Sequence, residues 1–553
     1  MQDASGDLTI VFNGEIYNFP DLRADLGANG MVFATHSDTE VVLAAYRKWG
    51  KDCLSRLNGM FAIALHDARR GVLLLARDRA GEKPLFFSLD SGTLRFASEL
   101  KALMADASMT RRVNHEALDC YLAMGFVPGE RCMLEGVRKL PPAHALEFDL
   151  QTGRMRSWRY WDIPAGEGDV ADEAALLDEL EGLLAAAVKR QLVADVPVGI
   201  LLSGGVDSSI VTAVAARARS RIKTFTVGFP GHGKLDETGH ARLIARHFGT
   251  DHLDLVAEAT TANLLPQLAR QYDEPMNDSS MIPTFLVSQM VRQQCTVAVG
   301  GDGGDELFGG YSHYSRLARL HESIGAVPRL LRRALSWGAE RLLPPGAKGR
   351  NYMIAAGADF RHSVPLLALY FDATTRRRLM GKAWPLVAEA EHERLIAPGS
   401  DLLDRAMRTD FMTYLPEDIL VKVDRSSMLT SLEVRAPFLD HTVIEFAYRK
   451  VPTRLKAGAR QRKVLLKRLG ARLLPPEFDS QRKQGFSIPL RAWLAEGSFR
   501  DLFHDVLLDA NCIFDRDTVR GLLHGQANGR DNSERLFGLV MFELWRREYR
   551  VQF

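Results

Sequence analysis

The stretch LLSGGVDSS, Leu201 to Ser209, narrows most sharply what this chain can fold into. It stands between a short apolar run, PVGILL (Pro197 to Leu202), and a helical pattern, VTAVAARA. A strand that breaks into glycines and then opens a helix predicts a tight backbone turn with unsatisfied amides at the helix start. Gly204 and Gly205 permit the turn, and Ser203, Ser208 and Ser209 add hydroxyl donors. The expected ligand is a phosphate chain. The lysine of GxxxxGK[ST] is missing and no such motif occurs elsewhere, which disfavours γ-phosphoryl transfer by a P-loop enzyme.

Two more apolar runs, KTFTVGF (Lys223 to Phe229) and CTVAVG (Cys295 to Gly300), alternate with helical patterns. Leucines at helical spacing between Glu173 and Leu192 precede them. This alternation predicts an α/β unit with a parallel sheet from about residue 170. A second glycine loop, GGDGGDELFGGY (Gly300 to Tyr311), also follows a strand. Loops at the carboxyl edge of a parallel sheet face one another. Asp302, Asp305 and Glu306 would repel one another there without a cation, and oxygen ligands beside a phosphate cradle suit Mg²⁺, with Asp207 facing them.

A chain of 553 residues predicts roughly two to four domains. From Leu8 to about Leu150 the runs LTIVF, GMFAIAL, GVLLLARD, TLRFAS and HALEFDL predict stacked antiparallel sheets, with a helix near Asp38 to Trp49. IPAGEGDVADE then reads as a linker between residues 1–160 and 170–553. Beyond about residue 315 the text is helical and Arg-rich, and RLLRR and TTRRR read as solvated helix faces. A net charge of +2 gives no general pull toward nucleic acid or anionic lipid. Five scattered cysteines without a CxxC pair fit neither a disulfide framework nor a zinc site and predict a reducing cytoplasm. No apolar run reaches the length of a membrane span, so neither a membrane nor a nucleic acid is expected as partner.

SGGVDSS, TVGF with LDE, DEPMNDSSMIPTFLVS, GDGGDELFGGY, YLPEDILVKVDRSSM with LEVRAPFLDH, and RKQGFSIPL occur in that order. In order and spacing they resemble the synthetase domain of glutamine-dependent asparagine synthetases. The resemblance implies an N-type ATP pyrophosphatase α/β domain with a helical C-terminal portion. It also implies that Leu201 and Val227 flank adenine, that Gly300 and Gly301 contact AMP, and that Asp207 and Asp305 hold Mg²⁺. Asp302 takes the place of the family's acidic residue near an acyl-adenylate, and Lys483 that of its phosphate-binding lysine. Many members carry Ser at the position of Gly300, and one branch carries Glu at that of Asp302. The implied substrates are ATP, aspartate and a nitrogen donor, either glutamine or ammonia. A homodimer is compatible with the sequence.

VFNGEIYNF, HSDTE, NGMFAIAL and LARDRAGEKPL resemble the class II glutamine amidotransferase domain, an α+β sandwich of the N-terminal-nucleophile type. The resemblance assigns Asn13 and Gly14 to an oxyanion hole, and Glu15 and Asp38 to the glutamine amino group. That family's nucleophile is an amino-terminal cysteine, whereas residue 2 here is Gln2 and the first cysteine is Cys53, in a helix-like context that predicts a buried thiol. The arginine of the family's RGPD segment is also missing. Three readings follow: a chain begun at an internal methionine, an ammonia-dependent enzyme, and a β-lactam synthetase-like relative that closes a ring on an adenylated acid. Amidation of a carboxyl group on a sugar or secondary metabolite, and a non-catalytic descendant, are further alternatives.

Overall fold

Period-two burial in the first strands builds a sandwich with helices outside it. In β2 (Gly59–Asp67), Ala62 and Ala64 point one way, while Phe61, Ile63 and Leu65 point the other. The first pair meets Leu85, Phe87 and Leu140 between two sheets. The second set packs on the helices Phe19–Ala28 and Asp38–Trp49 through Leu22, Leu26, Val42 and Leu43. Full burial of each such side chain contributes about 1.5–3 kcal/mol. The computed structural model describes residues 1–166, 172–219, 221–228, 238–256, 262–481 and 488–553.

β1 (Leu8–Ile16), β2, β3 (Val72–Arg77), β7 (His144–Asp149) and β8 (Met155–Arg159) form one antiparallel sheet in that order. β4 (Phe86–Asp90), β5 (Thr93–Ala97) and β6 (Arg138–Lys139) form the second, in the order β5-β4-β6. The helix Asp38–Trp49 starts where Ser37 Oγ accepts the Thr39 amide at 3.1 Å and stops at Gly50. The linker's central residues, 167–171, lie outside the described residues.

A five-stranded parallel sheet follows: β9 (Val198–Leu201), β10 (Lys223–Gly228), β11 (Asp251–Val256), β12 (Val297–Val299) and β13 (Glu433–Arg435), ordered β11-β10-β9-β12-β13. From β9 the chain moves outward to β10 and β11, then crosses to the other side of β9 to lay down β12. The strand order therefore reverses between neighbouring β9 and β12, and a crevice opens at their carboxyl ends. The remaining segments are helical, as the text beyond residue 315 predicts. No helix among the described residues is long and apolar enough to cross a membrane.

The arginine runs need correction. They do fall on helices, Arg329–Leu342 and Ala373–Met380, but neither is simply a solvated face. Arg376 is fully buried and donates to Asp119 at 2.7 Å and to Glu389 at 2.6 Å, and Arg332 donates to the Ala356 carbonyl at 2.9 Å. Buried ion pairs also lock the sandwich onto the second half: Lys83 to Asp424 at 2.8 Å, Arg77 to Glu417 at 3.4 Å and Lys139 to Glu417 at 2.5 Å. Deleting one member of such a pair costs about 3–5 kcal/mol, because the other charge stays buried.

Candidate active site

The loop after β9 and the loop after β12 meet across the crevice, and together with the helices behind them they line a cleft of about 870 Å³. Leu201, Ser203, Gly205, Asp207, Ser208, Val227, Gly300, Gly301, Asp302 and Asp305 all line it. The contact between the loops is close enough to demand a missing side chain. A Cβ built on Gly301 would lie 3.0 Å from the Asp207 Cβ and 3.1 Å from the Ser208 amide.

Within the first loop, Gly204 has φ +77°, the left-handed region. Gly205 is extended and starts the helix Val206–Ala218. Ser203 Oγ and Ser208 Oγ stand 3.0 Å apart, and the Gly205 amide donates to Ser203 Oγ at 3.3 Å. Ser209 departs from the expected cradle. It is fully buried on the inner side of the helix and does not line the cleft.

Asp207 in the first turn of Val206–Ala218 and Asp305 in the helix Gly304–Phe308 converge on one cation, the Lys463 ammonium. Asp305 lies 2.6 Å from it, and Asp207 is hydrogen-bonded to it as well. Two carboxylates from facing loops aimed at one positive charge suit a divalent cation with hard oxygen ligands. Glu306 does not join them. It is nearly fully buried and accepts the Tyr311 hydroxyl at 2.6 Å, and burial pushes its carboxyl up to about 8. Among the described residues no group of three or more metal-ligating side chains forms.

Lys463 is 5% exposed and has φ +52°, a backbone conformation unusual for a non-glycine residue. The sequence reading did not single it out, since nothing in GARQRKVLL sets it apart from its basic neighbours. Burial alone would lower its affinity for a proton, but Asp207 and Asp305 outweigh that and hold it above the ordinary lysine value. Asp278, Asp418, Lys422 and Glu534 also line the cleft. Burial raises the Asp302 carboxyl, opposed by the nearby Lys422 charge. Lys483 lies outside the described residues.

In the sandwich, Asn13, Gly14 and Glu15 lie toward the C-terminal end of β1, opposite Ala62, Phe61 and Met60. Asn13 Nδ2 donates to Ser98 Oγ at 3.0 Å. Asp38 Oδ2 accepts the Ile16 amide at 3.0 Å. Burial pushes the Glu15 carboxyl up to about 7, opposed by Arg435 of β13 at 3.6 Å and reinforced by Asp38. The two acidic side chains thus share one neighbourhood. Cys53 is 2% exposed, as predicted, and burial pushes its thiol up to about 12, far from a reactive thiolate.

A sandwich of glutamine amidotransferase type joined to a nucleotide-binding parallel sheet defines an ATP-dependent ligase. The profile of the asparagine synthase family matches residues 179–547, and that of the glutamine amidotransferase domain matches residues 1–161. The chain belongs to the asparagine synthase family. Asparagine synthetase [glutamine-hydrolyzing] 1 of Bacillus subtilis (strain 168) is 31% identical over 97% of this chain and 85% of its own length. Asparagine synthetase [glutamine-hydrolyzing] 3 of the same organism is 29% identical over 86% of this chain and 75% of its own. Amidase chyE of Penicillium rubens is 28% identical over 82% and 72%.

One glycine offers a direct test of the site's packing. A Cβ on Gly310 would fall on the Asp305 carboxylate and the Lys463 side chain. Gly310→Ala should displace both, lowering ATP-dependent turnover about 10²-fold while the rest of the fold loses about 1–3 kcal/mol. Steady-state rates and thermal melting measure the two effects, and unchanged rates would contradict this geometry.

Proposed function

We propose that the chain makes asparagine from aspartate through a β-aspartyl-adenylate, releasing pyrophosphate and AMP. The observation that carries this reading is the convergence of Asp207 and Asp305 on one cation beside the Ser203–Ser208 loop, at the carboxyl ends of β9 and β12. A carboxylate is too poor an electrophile for ammonia. Its oxygen attacks the α-phosphorus, pyrophosphate leaves, and ammonia then displaces AMP from the acyl carbon.

In this reading Leu201 and Val227 flank the adenine, while Gly300 and Gly301 let AMP approach the β12 loop. Amides and hydroxyls of residues 203–208 take the phosphates, so that donors are already aimed where charge develops. Lys483 is assigned to the phosphates on the resemblance alone. Asp207 and Asp305 would hold Mg²⁺, which when bound neutralises phosphate charge. Lys463, displaced from those carboxylates, is then free to turn toward the leaving pyrophosphate. Asp302 faces the acyl group.

Asn13, Gly14, Glu15 and Asp38 are proposed to hold glutamine, and ammonia serves as the donor for the polypeptide of this sequence. A small cavity of about 20 Å³, room for one water-sized molecule, lies between the halves. Arg77, Phe86, Lys139, Glu274 and Glu417 line it. The unpaired cysteines support a reducing, cytoplasmic setting.

Incubation of the chain with ATP, Mg²⁺, aspartate and ammonium should yield asparagine, AMP and pyrophosphate in equal amounts. ADP and inorganic phosphate in their place would refute the adenylate. A second reading, amidation of another carboxylate, draws support from the relative named as an amidase.

A further inference from the structure

One wall of the cleft is more acidic than a phosphate site calls for. Asp278, Asp418 and Glu534 line it together with Lys422. Asp278 Oδ2 accepts from Lys422 Nζ at 2.6 Å, and Glu534 Oε1 accepts from Ser279 Oγ at 3.0 Å. Asp418 is only 4% exposed, and its Oδ1 has no hydrogen-bond partner among the described residues. It belongs to a π-helical turn, Leu415–Ile419, that runs into the helix Leu420–Met428. Such turns recur at functional sites because they re-aim one side chain out of the helical register.

An acceptor oxygen buried without a donor is costly. Burial pushes Asp418 well above the ordinary carboxyl range and Glu534 up to about 7, and the Asp278 charge adds to both. What would relieve Asp418 and Glu534 is a compact cation that only donates. A primary ammonium does so with three N–H groups, and the Tyr370 and Tyr414 rings lining the same wall favour an organic cation. Lys422 and Asp302 line the same cleft, and the Lys422 charge acts on Asp278, Asp418 and Asp302 together. The acidic residues therefore share one cleft, and the field of one lysine, with the residue placed beside the reacting acyl group.

We infer that Asp418 and Glu534, with Asp278 held by Lys422, form the pocket for the acceptor's α-ammonium and select amino acids over plain carboxylates. The inference rests on the ligase reading above for the position of the reacting carboxyl. Neither side chain touches the reacting atoms, so both are specificity determinants and not catalytic residues.

The test compares L-aspartate with succinate, which is aspartate without its ammonium, using the full chain with ATP, Mg²⁺ and ammonium. Wild type should favour aspartate about 10²-fold or more in kcat/KM. Asp418→Asn and Glu534→Gln should each cut that preference about 10- to 100-fold through KM for aspartate, with KM for ATP and the succinate rate unchanged. Both variants should melt no lower than wild type, because each removes a carboxyl whose charge is penalised by burial. An undiminished preference in both variants would overturn the inference.

Calorimetric titration of aspartate into the chain saturated with Mg²⁺ and α,β-methylene-ATP separates the two readings. Aspartate binding that weakens about 10- to 100-fold in Asp418→Asn upholds the pocket even if no adenylate ever forms. A wild type that amidates succinate as well as aspartate sinks the pocket and leaves the ligase reading standing.

Discussion

Asp207→Ala should abolish AMP formation, lowering the rate by at least roughly 10²–10³-fold, the loss seen when one preorganised charge-stabilising group is taken from an active site. Asp207 and Asp305 are the only two carboxylates among the described residues that share the Lys463 ammonium, so no third can replace either. Removing Asp207 also leaves Lys463, 5% exposed, with Asp305 as its one remaining carboxylate partner. The lysine's tie to Asp305 then tightens, and a divalent cation must compete for a single ligand. The dependence on Mg²⁺ should shift to higher concentration, and melting should fall by less than the loss of a whole buried pair costs, since Asp305 still faces Lys463 and the helix Val206–Ala218 keeps its packing through Ile210 and Val214. Asp207→Asn keeps the shape and loses the charge, so it should behave like the alanine variant. Retained AMP formation in both would contradict the proposed role of Asp207 in holding Mg²⁺.

The two loops were legible because each is punctuated locally. An apolar run, glycines and a helical pattern follow in that order, and the chain does as the text says at β9 and β12. The helix Asp38–Trp49 was legible for the same reason, with Ser37 to start it and Gly50 to end it. Other features had no local mark. β11 reads DHLDLV and β13 is three residues long, so their places in the sheet come from neighbours distant in sequence. β4 and β8 escaped the reading as well, FFSLD being short and MRSWR largely exposed.

The lysines show the limit most clearly. Lys463 meets Asp207 across 256 positions, and charge pairing over such a separation leaves no periodicity to read. Arg376 looked solvated because a basic run is usually so, yet Asp119, 257 positions away, takes it into the core. Glu534 reaches the cleft from the last long helix, Ser533–Glu548, where its own segment reads only as amphipathic.

Ammonium should support asparagine formation by this polypeptide, and glutamine should not, with a difference of at least about 10³-fold when a hydrolytic nucleophile is missing. The oxyanion-hole candidates Asn13 and Gly14 sit in β1 next to Glu15, whose carboxyl feels the Asp38 charge. Chemistry at the glutamine amide needs a thiolate, and the five cysteines do not supply one. Four are buried, Cys512 is half-buried, and burial raises the thiols of Cys53 and Cys120 to about 12 and those of Cys295 and Cys512 to about 11. Gln2 pairs with Thr9 in an isolated bridge, and Met1 N donates to the Ile10 carbonyl at 2.9 Å. Glutamine labelled with ¹⁵N at the amide, compared with ¹⁵N-ammonium, follows the nitrogen into asparagine by mass spectrometry. Only the free base of ammonia carries the attacking lone pair, so the ammonium-supported rate at fixed total ammonium should climb with pH toward the pKa of ammonium. Label from glutamine appearing as fast as label from ammonium would refute the prediction and require a nucleophile that these five thiols do not provide.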